Sequence, residues 1–230
     1  MNKTFRQSLQ RNNIPDARNA EELNTLIMDL KTPEELYNYM KDNIRYGFYS
    51  NVSHNIYIRS ELNNDFLYEY MLFYNYCLQK PEEMIKTKVG ICFDQVEFER
   101  KWFVNHGYKV YTFFCNFHNH AFLVYENNGK YYYFERTVKK LNGIHEANSL
   151  EDILDEYKKQ QLSDCSFENF KIYEYMSVPF GANLYEIISS VSNRDIDKIE
   201  DIIKWGRTNF DILKKQSIQL EGAEIWEQTI

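Results

Sequence analysis

The alternation of hydrophobic and polar residues changes period along the chain, and each change marks an element. In "KTPEELYNYMKDNIRYG", Leu36, Tyr39, Met40 and Ile44 fall on one helical face. Thr32 is the predicted N-cap, Pro33 takes the first helical position, and Glu35 completes a capping box. "NNDFLYEYMLFYNYCLQ" reads as a buried helix with Cys77 on its packed face. Pro81 opens a further segment, "PEEMIKT", and Gly90 is expected to break it. From Phe93 to about Asn105 the pattern is helical again, with Cys92, Val96 and Phe103 on one face, and Gly107 ends it. The period then drops to that of strands. "YKVYTFFC", "HAFLVYE" and "YYYFERT" are three β-like runs near 108–116, 119–126 and 130–137. Asn128-Gly129, the strongest short hairpin signal, separates the last two. Ser149 caps another helix, "SLEDILDEYKKQ"; "FKIYEYM" is a further strand, and the tail from Asn183 reads as helical through Trp205. Helices, then a meandering sheet, then helices make an α+β fold rather than an alternating βαβ one.

Composition narrows the picture. Hydrophobic residues make up 43% of the chain, which excludes a disordered protein, and most of the 19 Tyr and 16 Phe are expected in core layers. A net charge of −7 disfavours a nucleic-acid track or an anionic membrane patch. The opening "MNKTFRQSLQRNN" lacks the apolar run of a secretory leader, and no stretch is apolar enough to cross a bilayer. Four cysteines, Cys77, Cys92, Cys115 and Cys165, are scattered without a CxxC pair. They read as free thiols in a reducing, cytoplasmic compartment.

One thiol stands out by position. In "KVGICFDQVEF", Gly90 precedes Cys92 by two residues and a helix follows. The thiol there either fills a core or is presented at a helix N-terminus, where the macrodipole and free N–H groups favour an anion. His120, which opens the strand "HAFLVY", could take the thiol proton and later protonate a leaving amine. A histidine in that role needs a third group to fix its tautomer. If Asn128-Gly129 is a two-residue turn, Asn127 pairs with Lys130, His120 falls opposite Thr137, and Glu135 is its diagonal neighbour on the same face. A three-residue loop would break that parity. Asp94 and Gln95, by contrast, are expected as solvent-facing first-turn residues. Gln95, Tyr46 and Tyr49 are open candidates for a second oxyanion donor.

A metal site is the first rival. "CNFHNH" offers Cys115, His118 and His120, but in an extended run Cys115 points away from the two histidines, and no CxxC or HExxH spacing supports zinc. No metal or cofactor is therefore expected. Cys115 is placed in the core, His118 at a solvent or substrate rim, and His54, His106 and His145 on the surface.

"GIC" followed by a helix, then "HAFLVY", then "YYFERT" resembles the transglutaminase-like superfamily of papain-related cysteine enzymes. The resemblance covers about 44–137, with "IRYGF" similar to the family's upstream segment. It implies an antiparallel sheet packed against a helix that carries the nucleophilic thiol at its N-terminus. It also implies Cys92 as nucleophile, His120 as base and acid, and Glu135 as the group that orients His120. Glu135 stands where the family commonly has Asp, and Arg136 where it commonly has Pro. The expected organisation is an N-terminal extension over 1–31, a transglutaminase-like core over 32–176, and a C-terminal helical region over 177–230 packed on the core. The expected function is acyl transfer from an amide of a peptide or protein through a thioester, with hydrolysis ahead of cross-linking. The alternative is an inactive module of the same fold that binds peptides or proteins.

Overall fold

The computed structural model describes residues 20–62, 65–115, 119–162 and 171–192. Thr32 Oγ1 accepts the Glu35 N–H at 3.2 Å and the Glu35 carboxylate accepts the Thr32 N–H at 3.3 Å, so the capping box forms and Pro33 starts the helix it predicts. In chain order the helices are α1 Ala20–Asp29, α2 Pro33–Asn43, α3 Arg59–Leu62, α4 Asp65–Asn75, α5 Pro81–Thr87, α6 Cys92–Asn105, α7 Leu150–Leu162 and α8 Leu184–Ser192. The strands are β1 Arg45–Tyr49, β2 Ile56–Ile58, β3 Val89–Gly90, β4 Lys109–Cys115, β5 His120–Asn127, β6 Lys130–Glu135, β7 Gly143–Ala147 and β8 Ile172–Tyr175.

The sheet that matters for chemistry has five antiparallel strands in the order β7-β6-β5-β4-β8. Asn128 (φ 52°) and Gly129 (φ 74°) both take positive φ, as a two-residue primed turn demands, and Asn127 pairs with Lys130. The period of two then sorts the side chains. Ala121, Leu123, Tyr125 and Phe134 face a core shared with Val96, Phe98 and Phe103 of α6. Phe122, Val124 and Tyr133 face a second core closed by Ile153 and Tyr157 of α7. Ring stacking ties α6 to the sheet: Phe93 on Phe114 at 5.9 Å and Phe103 on Tyr125 at 4.3 Å between centroids. The larger core also takes Leu23 and Ile27 of α1 and Ile187, Ile188 and Val191 of α8.

The sequence reading missed a second, three-stranded sheet, β2-β1-β3, in which β1 and β3 run parallel. Strands of only five, three and two residues, with β1 and β3 paired in parallel across a long stretch of chain, give too short a pattern to read. The edge strand β7 was missed as well. Cys77 is not on a helix: α4 stops at Asn75, and Tyr76 and Cys77 are drawn into bridges with Ser50 and Asn183. The helix before Gly90 spans "PEEMIKT" as expected, and Lys88 closes it in a left-handed cap (φ 59°). Residues beyond Ser192, including the expected helix to Trp205, lie outside the described residues.

Gly47 is where β1 and β2 approach most closely. A Cβ there would lie 2.4 Å from the Tyr57 carbonyl oxygen and 3.1 Å from Ile58 Cα. Both obstacles are backbone, so Gly47→Ala should destabilise the fold by about 1–3 kcal/mol in urea unfolding. Gly129→Ala, whose turn has open space but a positive φ, tests backbone strain instead.

Candidate active site

The site is built around the start of α6. Ile91 is its extended N-cap, and Cys92 is the first helical residue. Asp94, three residues after the cap, turns its carboxylate back to accept the Ile91 N–H at 2.9 Å. Its other oxygen accepts the Gln79 N–H at 2.9 Å and the Tyr76 hydroxyl at 3.1 Å. Asp94 is fully buried, and burial pushes its carboxyl up to about 7 against the pull of these donors. Gln95 is buried too, and its amide nitrogen donates to the Gly90 carbonyl at 2.8 Å. Both residues were expected in solvent. They are instead the pins that hold the first turn, because the 76–79 segment and β3 cover that end of the helix. Gly90 is required for proximity: a Cβ there would sit 2.7 Å from Met84 Sδ and 3.0 Å from Asp94 Cβ.

Cys92 is 4% exposed, and its thiol lies 3.8 Å from the Asn119 carbonyl. His120 opens β5, so its ring stands at the end of the sheet, where the Cys92 thiol acts on it. Its Nε2 lies 2.7 Å from Glu135 Oε2. A carboxylate only accepts, so Nε2 carries the proton and Nδ1 is left for the thiol. The same Glu135 oxygen accepts the Tyr133 hydroxyl at 2.6 Å. Oε1 accepts the Thr137 N–H at 2.5 Å, the Thr137 hydroxyl at 2.8 Å and the Val138 N–H at 2.9 Å. The longer reach of glutamate is thus absorbed by a tight turn that closes on the carboxylate.

The electrostatics follow from these contacts. Burial alone would raise the Glu135 carboxyl, but the His120 charge and the converging donors lower it to about 2. Burial alone would lower His120; the Glu135 carboxylate, its hydrogen bond to the ring and the Cys92 thiol outweigh it and hold the imidazole well above its usual value.

Of the three candidates for an oxyanion donor, two are committed elsewhere. Gln95 serves Gly90, and the Tyr49 hydroxyl bonds His54 Nδ1 at 2.8 Å. Tyr46 pairs with Gly90 across β1 and β3, two residues from Cys92. Burial raises its phenol well above the usual value, and among its neighbours Cys92 adds most to the effect. A parallel pairing across 44 positions has no local sequence signal, so Tyr46 stood out only by composition. Cys115 is fully buried and His54 is exposed. His145 is exposed on β7, and His106 is half-buried, stacked on Trp102 at 4.0 Å. His118 lies outside the described residues. Among the described residues no group of three or more His, Cys, Asp or Glu side chains could hold a metal ion.

A family model described as a transglutaminase-like domain matches residues 20–162, more than half of the chain. The chain belongs to the transglutaminase-like family. No curated protein matches it. The family match contains Cys92, His120 and Glu135 and ends with α7; β8 and α8 lie beyond it. Among the described residues no helix is long and apolar enough to cross a membrane.

The His120–Glu135 pair predicts a pH signature for this transglutaminase-like fold. The Glu135 carboxyl is depressed, so its contribution is full above about 4.3 and drains away as pH falls toward about 2. His120 is raised, so its contribution is full below about 6.5 and is lost as pH rises through the raised value. The difference in urea midpoint between wild type and His120→Ala should therefore peak between about pH 4.5 and 6.5 and shrink on both sides. A difference that grew steadily into alkali would contradict the assignment.

Proposed function

We propose that the chain is a cysteine acyl-transfer enzyme that hydrolyses an amide in a peptide or protein. The observation that carries this reading is the placement of the Cys92 thiol at a helix N-terminus, where it acts on His120, whose Nε2 meets the five-donor Glu135 carboxylate. The Cys92 thiolate attacks the amide carbonyl carbon, a C–S bond forms, and the carbonyl electron pair moves to oxygen. The Cys92 N–H, in the first turn with no intrahelical acceptor, and the Tyr46 hydroxyl receive that oxyanion. As the oxyanion collapses, the C–N bond breaks and His120 gives its proton to the leaving nitrogen. His120 then deprotonates water, which attacks the thioester and releases the acid and the thiolate. An amine in place of water would give a cross-link instead. The half-buried Tyr46 beside the thiol suits an extended peptide or the stem of a glutamine better than a polyanion. Among the described residues Cys77, Cys92 and Cys115 form no disulfide, which suits a reducing, cytoplasmic setting.

One observation favours the second reading, an inactive binding module: Cys92 and His120 are only 4% and 6% exposed. The two readings separate in one experiment. A peptide library is incubated with the protein, with and without a primary amine, and analysed by mass spectrometry. Cleaved or deamidated peptides in both conditions are expected; a dominance of amine adducts would overturn hydrolysis. No product, together with a Cys92 that iodoacetamide alkylates no faster than the other thiols at about pH 6, would establish the binding module.

Within the enzyme reading the variants rank. Cys92→Ala should abolish turnover and His120→Ala should come close, since it removes both base and acid. Glu135→Gln should lower kcat by about 10²- to 10⁴-fold, because an amide cannot accept from the 137–138 turn and from His120 and Tyr133 at once. A Glu135→Gln loss equal to that of Cys92→Ala would contradict the supporting role of Glu135.

A further inference from the structure

The short strip 76–79 sits between the nucleophile turn and a part of the chain beyond the family match. On one side the Tyr76 hydroxyl and the Gln79 N–H both donate to one oxygen of Asp94, whose other oxygen accepts the Ile91 N–H. The Gln79 side chain adds to this side. Its amide nitrogen donates to the Val89 carbonyl at 3.1 Å and its oxygen accepts the Thr87 hydroxyl at 2.9 Å, so it grips β3 just before Gly90. On the other side the strip meets the turn before α8. Leu78 donates its N–H to the Ala182 carbonyl and accepts the Gly181 N–H, both at 2.9 Å, and Cys77 bridges Asn183. Leu78 and Gln79 are buried, so a bond lost on either side leaves a polar group away from water. The turn is itself anchored. Gly181 takes a left-handed φ of 84°. Asn183 and Glu186 cap α8 reciprocally: Asn183 Oδ1 accepts the Glu186 N–H at 3.0 Å and the Glu186 carboxylate accepts the Asn183 N–H at 2.9 Å. Ile187, Ile188 and Val191 then fix the helix in the larger core.

We propose that the 181–183 turn is a positioning element of the active site: it holds the 76–79 strip on Asp94 and so fixes the first turn of α6, where Cys92 sits. The links form one path from the α8 anchor through the turn, the strip and the Asp94 carboxylate to the Ile91 N–H. Within its own helix Asp94 holds only Ile91. The two donors from the strip fix the carboxylate, and the carboxylate fixes the residue that precedes Cys92. Without the strip the first turn is free to fray. Residues 181–183 lie outside the 20–162 match, so this brace is an addition to the family domain.

Its effect on turnover rests on the acyl-transfer reading, but the link itself is measured without substrate. Amide hydrogen exchange of the full chain is followed by nuclear magnetic resonance in wild type, Gly181→Pro and Gly181→Ala. Gly181→Pro removes the N–H that Leu78 accepts and the positive φ that the turn takes. Gly181→Ala is the milder variant: its Cβ meets nothing within 4 Å, so it strains φ alone. The Gln79 and Ile91 amides should exchange about tenfold faster in Gly181→Pro and about threefold faster in Gly181→Ala, while the Leu123 and Val124 amides of β5 keep their wild-type rates. An Ile91 amide unmoved in both variants overturns the proposal. So does an equal acceleration throughout β5, the mark of general destabilisation; Gly181→Ala decides where Gly181→Pro does not fold. In turnover, Gly181→Pro or Gly181→Ala should lower kcat and leave KM near wild type, because the strip aligns the nucleophile. A change confined to KM overturns the positioning role. Absence of turnover in wild type removes the enzyme reading and leaves the exchange rates to decide.

Discussion

The site depends on strand register. Parity across the β5–β6 hairpin decides whether His120 and Glu135 face each other or opposite sides of the sheet, and parity is set by two residues. Asn128 and Gly129 accept positive φ, so the turn holds two residues and not three. One inserted residue would send Glu135 into the core of α6 and Phe134 into the place of the carboxylate. The same parity puts Phe122 and Tyr133 on the α7 side, where they stack with Tyr157 and pack the floor beneath His120. The hydrophobic pattern and the chemical pair are therefore locked together: the sheet cannot bury its rings correctly and misplace the pair.

Much of this was readable in advance, and the reason is locality. The capping boxes at Thr32 and Ser149, the Gly107 break and the Asn128-Gly129 turn each involve residues within a few positions, and each formed as its chemistry requires. Cys92 at the start of α6 and the His120–Glu135 contact follow from those local signals plus one register. What could not be read is what comes from far away. The β1–β3 pairing joins Tyr46 to Gly90, Tyr76 and Gln79 reach Asp94 from a separate segment, and Arg136 reaches back to Ile44. None of these has a spacing rule. First-turn acids ordinarily face water, so Asp94 was misread, and only the chain that covers it makes it a buried brace.

The two departures from the family's usual residues also make sense together. Glutamate in place of aspartate moves the carboxylate one methylene further, and the structure meets it with the Thr137 and Val138 N–H groups and the Tyr133 hydroxyl. Arginine in place of proline restores an N–H and adds a cation at the same point. A buried cation at that point is a liability unless nearby acids offset it. Buried charges in proteins are paired because the cost of an isolated one is several kcal/mol.

That constraint explains an oddity of α6. A helix in the centre of a fold should be apolar all round, yet this one buries Asp94, Glu97 and Glu99 in its first two turns. Two of these acids answer different groups: Asp94 holds three donors at the helix start, and Glu97 pairs with Arg100. Near an N-terminus the helix dipole favours negative charge, which lessens the penalty for Asp94 most and for Glu99 least. An apolar residue at each position would pack more cheaply. Asp94 holds the Cys92 turn in place, so the start of α6 is shaped more by the demands of the site than by those of the core.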